Sequence, residues 1–250
     1  MRQNRSTSAY LERLTWTEAE TLLTPECVVL VPLGAAAKEH GPHLPLDNDR
    51  TLAEYLSRRV ARIARVIVAP TIAYHYYPAF IEYPGSTTLR LETARDLVVD
   101  IVTSLAAFGP RRFYVLNTGV STVKALEPAA RELASRGVLL RYTDIAYAGR
   151  HAAETISEQQ GGTHADEVET SMMLYIAPRS VDMSKAQRDY NPGTGRLTRS
   201  RTGVGVFSPS GIYGDATLAT AKKGKVVIEA MVQEILSQVE SLRTAPLPVR

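Results

Sequence analysis

The sequence predicts an α/β fold, a three-layer α/β/α sandwich with a mainly parallel central sheet. Short apolar runs alternate with segments of helical spacing, which is the pattern of a parallel sheet flanked by helices. The 250 residues are 44% hydrophobic and 22% charged, which suits a globular chain with a sizeable core. Because no repeat or linker interrupts this pattern, residues 1–250 are predicted to form a single domain.

The first half of the chain contains two predicted strands and two predicted helices. Residues 27–31 form a continuous apolar run, which is typical of a buried strand. Apolar residues then recur every three or four positions from Leu52 to Ile63, which predicts a helix with one buried face. A second apolar strand follows at residues 66–69, and helical spacing resumes across residues 92–108.

The second half repeats the alternation and then becomes irregular. Its predicted elements are a strand at 112–117, a helix at 123–136, a strand at 138–142, a helix at 167–176 and a closing helix at 226–242. Between the last two helices, residues 189–215 are rich in glycine, proline, serine, threonine and arginine, which predicts a long irregular segment. Segments of this kind inside compact domains are often lids or binding loops.

Charge and composition exclude several classes of function. The net charge of +3 is small and the basic residues are scattered, whereas a nucleic-acid interface needs a concentrated basic face. No apolar run approaches the roughly 20 residues that span a bilayer. Residues 1–12 are polar and lack the apolar core of a signal peptide. The single cysteine, Cys27, fits a reducing compartment. We therefore expect a cytoplasmic protein that binds neither nucleic acid nor membrane.

Residues 31–50 are the most informative stretch for function. They end the first strand, cross a glycine- and proline-containing loop with His40 and His43, and bring Asp49 to the start of a helix. Loops at the carboxyl ends of parallel strands are where open α/β sheets bind ligands. His40 and Asp49 are therefore candidate metal ligands or acid–base groups.

A second cluster of titratable residues lies at the start of a later helix. Residues 164–169 contain His164, Asp166, Glu167 and Glu169. Asp166 and Glu167 are expected to complement the dipole of that helix. His164 precedes the helix in a glycine-rich loop and is a candidate general acid or base, because imidazole titrates near neutrality. A capping or structural role for His164 stays open.

Four segments, in this order, resemble the creatininase family of metal-dependent amidohydrolases. They are His40-Gly-Pro-His-Leu-Pro followed by Asp49, Tyr83-Pro-Gly-Ser-Thr-Thr-Leu, Phe113-Tyr-Val-Leu-Asn-Thr-Gly and Thr163-His-Ala-Asp-Glu-Val-Glu-Thr-Ser. The resemblance extends from about residue 10 to the final helix. It implies a creatininase-like fold, a small-molecule amide substrate, a divalent metal (zinc, manganese or iron) without an organic cofactor, and a homo-oligomer.

The sequence departs from the family at two metal-binding positions. The family's first metal-binding glutamate, two residues before the histidine, is Lys38 here. The family's Asn-Gly-His loop reads Asn117-Thr118-Gly119 and contains no imidazole. Both missing groups serve mainly one ion of the family's metal pair. The resemblance therefore implies a site that binds one metal or none.

The retained residues are the implied ligands of one ion: His40, Asp49 and Glu169. Replacing a carboxylate by the Lys38 ammonium changes the local charge by about two units, the charge of a missing dication. Lys38 with one metal would then reproduce the field of two metals, and its Nζ atom would lie near Asp49. The resemblance also implies that His164 transfers a proton, and Lys38 would offset negative charge in the transition state.

Four further residues complete the expected site. Substrate contacts are predicted for His43, Asn117, Thr118 and Tyr76, which lie at or after the ends of predicted strands. Glu39 is expected to face away from the side chains on either side of it, because alternate side chains of an extended chain point in opposite directions.

Three functions stay open from the sequence. The leading one is hydrolysis of a small amide C–N bond of the non-peptide kind, cyclic amides included, with one metal. The alternative is a catalytically altered relative, either a metal-free ligand-binding protein or a partner subunit, which Lys38 and the altered 117–119 loop favour. A lysine-dependent lyase or Schiff-base enzyme would need Lys38 buried with a lowered pKa.

Overall fold

The computed structural model of the chain describes residues 8–249. Most of the segment used for the signal-peptide interpretation, residues 1–7, therefore lies outside the described residues. The prediction of one domain over residues 1–250 stays a prediction.

The described chain contains a series of strands and helices that alternate up to the middle of the sequence. In chain order they are β1 (Ala9–Tyr10), α1 (Trp16–Leu22), β2 (Val28–Leu33), α2 (Asn48–Ala61), β3 (Ile67–Val68), α3 (Leu91–Ala106), β4 (Arg112–Asn117), α4 (Val123–Ser135), β5 (Leu139–Tyr142), α5 (Arg150–Ile156), α6 (Glu167–Ile176), β6 (Arg188–Asp189), β7 (Leu197–Thr198), β8 (Val206–Phe207), β9 (Gly214–Asp215) and α7 (Ala221–Thr244). The four strands and five helices predicted from the sequence are all present, with small shifts at their ends.

Strands β1 to β5 form one sheet in the order β1-β3-β2-β4-β5, and each neighbouring pair is parallel. This confirms the predicted α/β fold with its mainly parallel sheet. The segment predicted to be irregular carries the four two-residue strands β6 to β9, which pair in two separate small sheets.

The sheet is covered on both faces, and β2 shows why its sequence is continuously apolar. Val28 and Leu30 point into a core shared with α2 and α7. Val29 and Val31 point into the opposite core, which includes side chains of α3 and α4. A strand with two buried faces needs apolar residues at every position, so the unbroken run at residues 27–31 encodes the three layers.

The sequence did not predict α1, α5 or the short edge strand β1. Neither α1 nor α5 has a fully buried residue, so neither shows the apolar periodicity that marks a packed helix. Helix α1 depends on local signals instead. Its cap residue Thr15 and Glu18 exchange hydrogen bonds in a capping box.

The fold brings the end of β2 against the start of α2. A Cβ atom at Gly34 would collide with the Asp49 carbonyl oxygen, so only glycine allows this approach. The side chain of Asp49 thereby reaches the loop that leaves β2. Among the described residues, every helix is too short or too polar to cross a bilayer.

Candidate active site

A cavity of about 920 Å³ opens beside the carboxyl ends of β2 and β4. This volume lies at the upper end of the range for small-molecule sites, roughly 300–1,000 Å³. Among the side chains that line it are Lys38, Tyr77, Phe80, Thr118, His164 and Glu169. Three loops after strands and the start of α6 therefore meet at this cavity, as the sequence predicts for the edge of a parallel sheet.

A buried ion pair forms the floor of the site. Lys38 Nζ lies 2.7 Å from Asp49 Oδ2, and both side chains are almost inaccessible. This is the contact that the charge argument requires. Burial would raise the pKa of Asp49, but the Lys38 ammonium and His40 outweigh burial and hold the pKa well below its ordinary value. Asp49 is therefore ionised at neutral pH.

His40 is fully buried between two acceptors. Its Nδ1 lies 3.0 Å from the Lys38 carbonyl oxygen, and its Nε2 lies 2.9 Å from Asp49 Oδ1. A neutral ring can donate from only one nitrogen, so a neutral His40 would turn a lone pair toward an acceptor at one of these contacts. Either His40 carries both protons, or a cation takes the place of the proton at Nε2.

Glu39 does not face away from the site, contrary to the expectation from alternating side chains. Its Oε1 lies 2.9 Å from His164 Nε2, and its Oε2 accepts a hydrogen bond from the Gly41 amide. The expectation was wrong because residues 38–40 lie in a loop, not in an extended strand, and Gly41 turns the chain with a φ of +70°. Burial would raise the pKa of Glu39, but His164 outweighs burial and lowers it.

His164 is oriented by the loop that follows β2. Its Nε2 faces both the backbone oxygen and the carboxylate of Glu39, at 3.0 Å and 2.9 Å, so Nε2 carries the proton. Its Nδ1 lies 3.5 Å from Glu169 Oε2. Burial would lower the pKa of His164, but the Glu39 carboxylate outweighs burial and raises it.

The start of α6 fixes Glu169 beside His164. Asp166 is the N-cap of this helix and accepts from the amides of Val168 and Glu169. Glu169 Oε2 accepts from the Ala165 amide at 2.6 Å. Asp166 thus serves the helix start, as expected.

Glu167 makes several specific contacts besides the predicted interaction with the helix dipole. Its carboxylate accepts from the amides of Glu158 and Gln159 and from Ser157 Oγ, and it pairs with Lys223. Glu167 therefore ties residues 157–159, part of the cavity wall, to α6 and α7.

Three donor atoms converge where a metal ion could bind. Ring nitrogens of His40 and His164 and a carboxylate oxygen of Glu169 all lie within 4.8 Å of one another. Two of them, His40 and Glu169, belong to the predicted ligand set. The third predicted ligand, Asp49, contacts His40 but is not part of this group.

The predicted substrate contacts lie at different depths. Thr118 lines the cavity, but its hydroxyl donates to the carbonyl oxygens of Leu33 and Asp49. The Asn117 amide is engaged with the backbone of Gly119 and Thr143. The hydrogen-bond donors of both side chains are already used within the described chain, and their contact role stays a prediction.

Within the part of the chain that the structure describes, neither His43 nor Tyr76 lines the cavity. His43 is buried with its Nε2 2.7 Å from Thr170 Oγ1, and burial lowers the pKa of its ring to about 4. The neighbour of Tyr76, Tyr77, does line the cavity. The sequence analysis chose Tyr76 from this tyrosine-rich stretch, whereas which of the two tyrosines turns inward depends on the path of the loop.

Comparisons with known proteins agree with the fold and with the sequence motifs. The family model "Creatininase", described as creatinine amidohydrolase, matches residues 12–239. The mycofactocin precursor peptide peptidase of Mycobacterium ulcerans is 31% identical over 229 residues, covering 87% of this chain and 86% of that protein. The creatinine amidohydrolase of Pseudomonas putida is 29% identical over 254 residues, covering 92% and 95%. A solved structure described as "Creatininase Mn" superposes with a TM-score of 0.80 at 25% identity, covering 96% and 100%.

Proposed function

The chain belongs to the creatininase family of hydrolases, and we propose that it hydrolyses an amide C–N bond with the help of one divalent metal ion. The proposed substrate is a small non-peptide amide, cyclic amides included. The observation that carries the proposal is that both ring nitrogens of His40 face acceptors, Nδ1 the Lys38 carbonyl oxygen at 3.0 Å and Nε2 Asp49 Oδ1 at 2.9 Å. A neutral ring can donate at only one of these contacts, and a bound cation at Nε2 would satisfy the other.

The donor set fits one ion. His40, His164 and Glu169 would hold it, which is the combination of two imidazoles and a carboxylate that binds divalent transition metals. With an ion bound, the other nitrogen of each imidazole would donate to the loop after β2, to the Lys38 carbonyl in one ring and to Glu39 in the other. Such outer contacts fix the tautomer of a metal-binding histidine. A bound zinc, manganese or iron ion would polarise an amide carbonyl or lower the pKa of a bound water.

The charges of the site support one cation and not two. Glu39, Asp49 and Glu169 contribute three carboxylates, and Lys38 is the one lysine or arginine paired with them among the described residues. A single dication would balance the remainder. A second ion beside Asp49 would have to displace the Lys38 ammonium from Oδ2.

His164 has two proposed roles that exclude each other at Nδ1. A nitrogen bound to metal carries no proton to transfer. The orientation of Nε2 by Glu39 favours the ligand role, whereas a proton-transfer role would leave the ion to His40, Asp49 and Glu169. Metal content of His164→Ala separates the two: a ligand role predicts loss of the ion, and a proton-transfer role predicts its retention with loss of activity.

The second candidate function is a metal-free relative that binds a ligand or serves as a partner subunit. The observation that favours it is the Lys38–Asp49 ion pair, because Lys38 and a doubly protonated His40 satisfy Asp49 without an ion. The Schiff-base alternative loses support from the same pair, since the Lys38 amine would have to leave its 2.7 Å contact with Asp49 to attack a carbonyl.

Metal analysis tests the proposal. Untagged protein purified without chelators is expected to contain about one divalent ion per chain by plasma mass spectrometry, in line with one three-ligand site. His40→Ala should lose the ion, and His151→Ala, on the exposed surface of α5, should keep it. An amide screen on the loaded protein should include cyclic amides and, because one relative is a peptide peptidase, short peptide amides. No ion after incubation with zinc or manganese would contradict the proposal.

Assembly and location are further proposals that the family suggests. We propose a cytoplasmic homo-oligomer with a small-molecule substrate. Sedimentation of the purified protein would test the assembly, and a mass equal to that of one chain would contradict it.

A further inference from the structure

Tyr77 presents a buried hydroxyl for which the described residues provide no partner. The side chain is 2% exposed and lines the cavity, and its hydroxyl has no hydrogen-bond acceptor or donor within reach. Buried hydroxyls are nearly always hydrogen-bonded. An unpartnered one in the wall of a cavity indicates a ligand atom that completes it.

The Lys38 ammonium, which lines the same cavity, has more donors than acceptors. It has three N–H donors, and its one acceptor among the described residues is Asp49 Oδ2. The remaining close neighbours of Nζ are aromatic faces, with the ring centres of Phe80 and Tyr77 at 4.8 Å and 5.8 Å. Lys38 is 5% exposed and also lines the cavity. Two buried donor groups with spare capacity therefore share one cavity wall.

The Tyr77 ring is held in place by its surroundings. Its backbone amide donates to Thr88 Oγ1 at 2.9 Å. A Cβ atom at Gly119 would lie 3.0 Å from Tyr77 Cε1, so the missing side chain in the loop after β4 leaves room for the ring. Burial and the charge of Asp49 hold the pKa of Tyr77 well above its ordinary value, and the hydroxyl keeps its proton at neutral pH.

We propose that Tyr77 Oη and Lys38 Nζ form a subsite for a negatively charged substrate oxygen, which is the amide carbonyl oxygen in the tetrahedral intermediate. This rests on the proposed amide hydrolysis. When the oxygen of water adds to the carbonyl carbon, the π electrons move to the carbonyl oxygen. They return when the C–N bond breaks and the nitrogen takes a proton that the water released. Donors fixed in a water-poor site stabilise that oxyanion more than the neutral carbonyl.

The probe for this subsite is methylphosphonate, a tetrahedral oxyanion. Its binding is measured by calorimetry on chelator-treated protein, so that no metal ion can bind it. Tyr77→Phe should weaken binding at least about tenfold, the effect of one hydrogen bond to a charged group. Its melting temperature should stay the same or rise, because the hydroxyl has no partner in the folded chain.

The matched control is Tyr114→Phe. The Tyr114 hydroxyl bonds Thr143 Oγ1 at 2.9 Å and Gln238 Oε1 at 2.6 Å, and Tyr114 does not line the cavity. This variant should lower the melting temperature and leave methylphosphonate binding unchanged. Equal affinity of Tyr77→Phe and the unaltered protein, no binding by the unaltered protein, or a stability loss in Tyr77→Phe like that of the control would each overturn the subsite.

Experiments can contradict the subsite proposal and the proposed function separately. A protein that binds methylphosphonate through Tyr77 but takes up no metal keeps the subsite and loses the metal hydrolase. A protein that holds one ion and hydrolyses an amide, with Tyr77→Phe unchanged in kcat, keeps the function and loses the subsite. With a substrate in hand, Tyr77→Phe should lower kcat with little change in KM, since the donor acts on charge that develops only during reaction.

Discussion

The loops that follow β2 and β4 leave neighbouring parallel strands at the same edge of the sheet, yet they use their polar groups differently. After β2, Lys38, Glu39 and His40 reach outward to charged partners on α2 and before α6. After β4, Asn117 and Thr118 turn their polar atoms onto nearby backbone. The same strand-end position can therefore supply chemistry or local structure, and the partners of the side chains decide which.

The largest expected effect comes from breaking the charge pair of the β2 loop. Lys38→Met leaves the Asp49 carboxylate buried and unpaired at Oδ2, and removing one partner of a buried pair costs about 3–5 kcal/mol. Chemical denaturation measures this loss. The double variant Lys38→Met/Asp49→Asn removes both charges and should recover at least half of it. Lys185→Met, in an exposed pair, should leave the unfolding midpoint unchanged; a similarly small effect for Lys38→Met would contradict the buried pair.

The loop after β3 is the third loop at this edge of the sheet, and it contains a buried histidine. His75 is 1% exposed, neither ring nitrogen has a hydrogen-bond partner within the described chain, and burial lowers its pKa to about 4. The folded protein therefore takes up this proton at lower pH than the unfolded chain, whose histidine titrates near 6.5. Stability should fall as the pH drops from about 6.5 to about 4, by up to about 3 kcal/mol.

The measurement is the denaturation midpoint at several pH values. His75→Leu should flatten the fall, and His151→Gln, on the exposed surface, should not. An identical pH slope in His75→Leu and the unaltered protein would show that His75 is not kept neutral by burial.

Glu39→Gln tests the contact between Glu39 and His164, which the sequence did not predict. The substitution keeps an acceptor for His164 Nε2 but removes the charge that orients and polarises the ring. Outer partners of metal-binding histidines typically contribute about 10–100-fold to metal affinity, so zinc binding should weaken by at least about tenfold in competition with a chelating dye. Glu127→Gln, in an exposed pair on α4 away from the cavity, is the control. Unchanged zinc affinity would separate Glu39 from the metal site.

The smallest expected effect is in the loop after β4. Asn117→Ala removes hydrogen bonds to Gly119, Thr143 and Thr122 and leaves the Gly119 amide and the Thr143 carbonyl oxygen unpaired, which costs about 2 kcal/mol. Metal content and methylphosphonate affinity should not change. Asn191→Ala, on the surface, is the control for stability. Weaker ligand binding in Asn117→Ala would instead support the substrate contact predicted from the sequence.

Much of this fold could be predicted because buried positions appear in the sequence as apolar residues with the spacing of a helix or a strand. Strand β2 reads as apolar at every position since both faces are covered, and the two site segments stand at a strand end and a helix start. What could not be predicted depends on loop paths. The direction of Glu39 follows from the turn at Gly41, and the room for the Tyr77 ring depends on the missing side chain at Gly119.

Nitrogen NMR of the histidines tests most directly whether a cation binds at His40. The chain has five histidines, so uniformly ¹⁵N-labelled protein gives a small set of ring signals to follow during titration with zinc. We expect the His40 Nε2 and His164 Nδ1 signals to shift on binding, with saturation at about one ion per chain as for a single three-ligand site, while the signals of His43, His75 and His151 stay unchanged. A doubly protonated His40 that persists at excess zinc would contradict this expectation and leave the metal-free relative as the better description.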